Sequence, residues 1–253
     1  MDTKARQAQV DDFINTDPTS ISWTRALKQD LARNRTFVYE EPSVTASLYR
    51  PFTKQWMYFN RTFNEMVLQM PRIFPQSGRG NLIIQLAGVG ARAGFSALIS
   101  DSITSLDTIE KGQCFPLYLY DEQAQAQDNG NSDLFEPEGQ PETGLKRRDA
   151  ITDEGLAYFQ EAYPGEQITK EDLFYYVYGI LHSEDYRTRF ADNLSKELPR
   201  IPKVKKAVDF WAFSKAGREL SKLHINYETV EKYPLNIQAK GNLLDEDYRV
   251  IKM

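Results

Sequence analysis

The chain has 253 residues, 41% of them apolar and 26% charged, which reads as an ordinary globular protein with length for one large domain or two small ones and a real core. No run of ~18 apolar residues occurs, so no membrane span is expected. A single cysteine, Cys114, excludes an internal disulfide and fits a reducing cytoplasm, the expected location.

The net charge of −5 argues at first against a nucleic-acid partner. The charge is unevenly spread, however. Asp121, Glu122, Asp128, Asp133, Glu136, Glu138 and Glu142 fall in one stretch without a Lys or Arg, and the rest of the chain is net positive. Between Arg187 and Lys222 ten Lys/Arg face four Asp/Glu. The global number hides an acidic insert and a basic region.

In chain order, residues 1–35 read as a helical connector. Val10, Phe13 and Ile14 share one face, Trp23, Leu27 and Leu31 another, and Ser22 suits a helix cap. The polar N-terminal stretch carries no secretory pattern. Residues 36–120 read as a sheet-rich subdomain. TFVYEEPSVTASLYRPF and QWMYFN suggest short strands between turns, and QSGRGN at 76–81 is a polar turn. NLIIQLAGVG reads as a buried strand ending at glycine, and FSALISDSI and CFPLYLY as further strands. Residues 121–145 are polar, acidic and rich in Gly and Pro, and are expected to form an exposed, mobile loop.

Residues 146–253 read as a helical subdomain with a C-terminal tail. Thr152 opens one helix. Thr169 starts another, carrying Leu173, Phe174, Val177 and Ile180. Ser183 starts a third through Tyr186, Phe190 and Leu194, ended by Pro199 and Pro202, and Ser214 through Leu223 forms the last. The expected fold class is therefore α+β: a sheet-containing recognition half followed by a helical half.

Motifs of chemistry are missing. Gly88-Val89-Gly90 follows a strand, but the third glycine, Gly94, falls one residue late for a dinucleotide fingerprint, so a tight turn is expected instead. His182, His224 and Cys114 are too few for a closed zinc site without carboxylates. His182 reads as a helix-terminal or core histidine. There is no phosphate-binding Walker loop, no nucleophile elbow, no Asp/Asn-Pro-Pro-Tyr/Phe methyltransferase signature and no spaced-acid nuclease pattern. Neither catalytic residues, nor a metal, nor a cofactor are expected.

Cations and rings remain. Arg50, Lys54, Arg61, Arg79 and Arg92 lie in or beside turns of the sheet-rich half, near Gln55, Asn60, Asn64 and Gln76. Arg, Lys, Asn and Gln are residues that read base edges in a major groove. Arg79, between Gly78 and Gly80, is the leading reader. Lys203, Lys205 and Lys206 beside two prolines suit phosphate contacts, since an ammonium on a flexible stem is a point charge rather than a reader. The bland alternative is that the rings are core and the cations a solvated face.

YRPFTKQWMYFN, NLIIQLAGVGARAGFSALISDSI and QCFPLYLY, then DLFYYVYGILHSEDYRTRFADNLSKELPRIP and DFWAFSKAGRELSKLHINYE, resemble the C-terminal specificity region of the type ISP restriction–modification enzymes. The resemblance covers roughly residues 36–230. It implies the last part of a polypeptide that also holds a nuclease, a helicase-like ATPase and an N6-adenine methyltransferase, none of whose activities carries over. The chain would begin where the methyltransferase ends. The implied function is sequence-specific recognition of double-stranded DNA, directing methylation and cleavage by other domains, with the methyltransferase domain of the parent polypeptide as a second partner. The rival expectation is a protein-interaction or scaffold module that docks a partner domain and never touches DNA.

Overall fold

A computed structural model describes residues 3–17, 23–75, 79–122 and 145–231, with Pro234, Gly241 and Leu244 standing alone. The fold is α+β, with strands concentrated in the N-terminal half and helices in the C-terminal half.

Helices α1 (Thr3–Phe13) and α2 (Arg25–Ala32) form a hairpin. Its seam is narrow: Val10, Ile14 and Leu27 are buried, whereas Phe13, expected to join them, is 79% exposed. Thr24 caps α2, its hydroxyl accepting the Leu27 N–H at 3.3 Å. Ser22, the expected cap, lies outside the described residues.

The first sheet has the order β2–β1–β5. Strands β1 (Val44–Arg50) and β2 (Thr53–Tyr58) form an antiparallel hairpin, and β5 (Ile103–Thr104) runs parallel to β1. Residues 37–40, expected within a strand, make none. They contribute rings instead of a ladder: Phe37 packs edge-on to Phe63, and Tyr39 stacks on Tyr58. A single-turn helix, α3 (Met70–Ile73), follows. Of the turn at 76–81, Gln76, Ser77 and Gly78 are outside the described residues.

The second sheet sits deepest. Its central strand β3 (Ile83–Leu86) pairs antiparallel with β4 (Ala97–Ser100) and β6 (Gln113–Pro116), and every residue of β3 and β4 is buried. After β3 the chain turns rather than entering a helix, with Gly90 at φ +72°. A Cβ at Gly88 would lie 2.4 Å from the Lys111 carbonyl oxygen, so glycine is needed for close packing, not for a phosphate.

The third sheet is a two-stranded antiparallel ribbon, β7 (Tyr118–Glu122) with β8 (Leu145–Asp149). The acidic stretch expected as a loop from 121 to 145 is therefore strand at both ends. Asp121 tolerates a ladder position because its carboxylate receives hydrogen bonds from Arg148 and Arg72, which hold it below the usual carboxylate range. The expected exposure and mobility of 123–144 fall outside the described residues.

The helical half follows its caps. Thr152 accepts the Gly155 N–H at the start of α4 (Asp153–Gln160). Thr169 and Asp172 form a reciprocal capping box on α5 (Lys170–His182). Ser183 caps α6 (Glu184–Arg189), but that helix ends at Phe190 (φ −110°, ψ 20°), and α7 (Ala191–Leu194) is a separate turn that stops before either proline. The prolines lie instead in an extended segment held by three tyrosine hydroxyls: Tyr186 donates to Arg200 O, Tyr176 to Pro202 O and Tyr163 to Val204 O, at 2.9, 2.6 and 2.7 Å. The last helix, α8 (Ala207–Ile225), is longer than the expected 214–223. Its inner face carries Phe210, Ser214, Gly217 and Ser221, mostly small or polar, so apolar spacing understates its length.

One core cluster runs from Ile84, Leu86 and Ile99 of the second sheet through Leu173, Phe174 and Tyr178 of α5 to Phe210 of α8. Tyr178 joins the parts: its hydroxyl oxygen accepts the Ile99 N–H at 3.1 Å and lies 2.6 Å from His224 Nδ1. His182 packs edge-on to the same ring at 4.4 Å. Burial lowers the pKa of both histidines. In the unfolded chain imidazole protonates near ~6.5. The folded values lie lower, so the unfolded state takes up protons first as pH drops below ~6.5 and stability falls with it. The thermal midpoint should thus drop between pH 7.5 and 5.5, and the double variant His182→Gln/His224→Gln should lack that drop. A parent midpoint constant over this range would contradict the reading.

Candidate nucleic-acid interface

The sequence-predicted cations divide by how far the fold engages them. Arg50 donates to the Asp107 carbonyl and lies over the Tyr49 ring at 5.0 Å. Lys54 donates to the Ile225 carbonyl at 3.3 Å, and its Nζ is 3.7 Å from Asp101, so it ties the β1–β2 hairpin to the end of α8. Arg79 is half-buried. Its guanidinium donates to the Leu145 carbonyl at 2.9 Å and lies 5.8 Å from the Tyr120 ring centre, bracing the ribbon. These three cations hold backbone.

Two others project. Arg61 is exposed in the turn after β2. Arg92 has a side chain 95% exposed, paired with Glu110 at 3.5 Å. Glu110 also accepts the Arg92 N–H at 2.7 Å, which heads the causes that lower its pKa. The structure does not gather the five into one patch through direct contacts.

Lys203 sits over the Tyr158 ring at 3.5 Å, while Lys205 and Lys206 are exposed. Lys206 is the N-cap of the 19-residue α8 and makes no side-chain cap bond. Cations here add to the positive end of the helix dipole, which favours an anion beside it, and Asp209 in the first turn supplies one.

Sequence reasoning missed Lys146, Arg147 and Arg148. All three are exposed on β8. Arg147 lies over the Tyr118 ring at 4.4 Å, and Arg148 pairs with Asp121 at 2.6 Å. The available signal was the run LKRRD directly after the acidic stretch, opposite YLYDE, which matches it residue for residue across the ladder.

Among the described residues no group of three or more His, Cys, Asp or Glu converges to hold a metal, and no helix is long and apolar enough to cross a membrane. An apolar cleft of about 600 Å³ opens between β6, β7 and α5, lined by Phe115, Leu119, Phe174 and Val177, with Arg72 at its margin.

The profile of the Type ISP C-terminal specificity domain matches residues 1–253. The chain belongs to this family. Its members are specificity domains, not catalytic ones. Among solved structures, this domain is similar to one in a cryo-electron-microscopy structure of a DrdV–DNA complex, at 35% identity and a TM-score of 0.73 over 96% of this chain. It is similar to the ATP-dependent Type ISP restriction–modification enzyme LlaBIII bound to DNA, at 31% identity and 0.66 over 90%. A nuclease-deletion mutant of the Type ISP enzyme LlaGI with a DNA substrate mimic matches at 31% and 0.63 over 91%. The domain spans 22%, 14% and 20% of those chains. No curated protein matches.

Proposed function

We propose that this specificity domain recognises a short double-stranded DNA sequence and directs adenine methylation and cleavage carried out by other domains of a parent polypeptide in the cytoplasm. The observation that carries the reading is its similarity, over at least nine-tenths of its length, to three Type ISP proteins described in complex with DNA or a DNA substrate mimic. A methyltransferase domain is the second partner. Within this role, Arg61 and Arg92 read bases, because their side chains stand clear. Lys205 and Lys206 hold phosphates. Arg50, Lys54, Arg79 and Lys203 act by bracing the loops that carry these contacts.

The division of labour follows the two-part organisation: readers on the sheet-rich half, phosphate contacts on the helical half. Phosphate neutralisation releases counterions, so affinity for duplex DNA should fall steeply with salt, by ~0.9 log units per log unit of salt for each phosphate engaged. Equilibrium binding across a salt series checks this. A module that docks a protein domain through apolar surface would show no DNA affinity or a nearly flat series.

A further inference from the structure

We infer that the β7–β8 ribbon is a further element that enters a DNA groove, with Lys146 and Arg147 as its contacting cations. The inference rests on the DNA-recognition reading above and assigns it a surface.

Among the described residues the ribbon is a sheet of two strands, which makes it a narrow blade. Paired strands lie ~4.8 Å apart, and a major groove ≈ 12 Å wide admits such a ribbon. The blade is anchored along one side. Asn81 donates its side-chain amide to the carbonyls of Ile73 and Tyr118, and its oxygen accepts the Tyr118 N–H. Tyr120 donates to Gly80 O, and Arg79 to Leu145 O. Beyond Leu145, which Arg79 holds, the side chains of β8 are exposed: Lys146, Arg147, Arg148 and Asp149.

Charge on β8 faces outward on both sides. Successive residues alternate faces, so Lys146 and Arg148 lie on one and Arg147 on the other. A blade with cations on both faces meets the phosphates of both groove walls. Two acids of the ribbon are already engaged. Asp121 takes Arg72 and Arg148, and Asp149 lies 3.4 Å from Lys170. Lys146 forms no ion pair among the described residues. Arg147 rests its face on the Tyr118 ring. Such stacking fixes the guanidinium and leaves its edge N–H groups free to donate.

The test compares Lys146→Ala/Arg147→Ala with a charge-matched control, Lys196→Ala/Lys215→Ala, which removes exposed cations of the helical half. Binding to a random-sequence duplex pool and to any enriched duplex is measured between ~50 and ~200 mM salt. The ribbon variant should bind roughly ten-fold weaker or worse, with a salt slope shallower by about two units, while the control stays close to the parent. Far-ultraviolet circular dichroism monitors folding. Arg147→Lys, which keeps the charge, should keep most of the parental slope. If the parent binds DNA and the ribbon variant binds equally well, or the control loses as much, the ribbon assignment is overturned alone. If the parent binds no duplex, the assignment falls together with the DNA-recognition reading.

Discussion

Phe210→Ala should cost about 3–5 kcal/mol of folding stability, the range for emptying a large aromatic site in a core. Phe210 is fully buried and stacks on Tyr176 with ring centres 4.6 Å apart. Trp211 and Tyr163 pack around it at 5.3 and 5.4 Å. The cavity cannot close easily. Tyr176 is fixed at its far end by donation to Pro202 O, and Tyr163 by donation to Val204 O. For a chain of this size each kcal/mol moves the midpoint by ~2–4 °C, so thermal unfolding should shift down by about 12 °C. Phe210→Leu keeps most of the volume and should cost less than half as much. A loss below about 1 kcal/mol for Phe210→Ala would show that this aromatic cluster is not the anchor between α5, α8 and the 200–204 segment.

Gly217→Ala should also destabilise, against the rule that alanine favours a helix. Propensity alone would gain about 1 kcal/mol. The site forbids it. A Cβ at Gly217 would stand 2.0 Å from the Tyr175 carbonyl oxygen and 2.8 Å from the Gly179 nitrogen. At Gly179 it would stand 2.3 Å from the Phe213 carbonyl oxygen. These are backbone atoms of helices α5 and α8, so no side chain can swing aside. Overpacking costs ~1–3 kcal/mol or more, and backbone contact puts this case at the upper end. The net expectation is a loss of about 2 kcal/mol, read by chemical denaturation. Gly179→Ala/Gly217→Ala should cost less than the sum of the single changes, because once the helices are forced apart both sites are relieved. A Gly217→Ala protein as stable as the parent would contradict the close crossing.

The same crossing marks where sequence reasoning ran short. Helix α5 was legible because Thr169 and Asp172 cap it and Leu173, Phe174, Val177 and Ile180 repeat at helical spacing. Strands β3 and β4 were legible as mostly apolar runs, interrupted by Gln85 and Ser100, as suits a sheet buried on both faces. Helix α8 was truncated because its packing face is Ser214, Gly217 and Ser221, residues chosen for closeness rather than hydrophobicity. Residues 37–40 misled because aromatics favour strands, yet here Tyr39 stacks on Tyr58 and Phe37 packs edge-on to Phe63 without a ladder.

The candidate site was legible as chemistry but not as geometry. Composition singles out Arg50, Lys54 and Arg79 as readily as Arg61 and Arg92. Only the fold reveals that the first three are tied to the carbonyls of Asp107, Ile225 and Leu145. Arg79 stood out for its flanking glycines, and its partner lies 66 residues away, a pairing no local pattern encodes. The basic strand β8 was passed over because it borders an acidic stretch, and only pairing with β7 turns LKRRD into a surface.

The central claim is that this specificity domain reads DNA sequence. The most direct measurement is selection of duplexes from a random pool by the purified 253-residue chain, followed by sequencing of the bound fraction. The account predicts enrichment of one short consensus, with each mismatched base pair costing ~1–3 kcal/mol in follow-up binding. A bound fraction indistinguishable from the starting pool would contradict it.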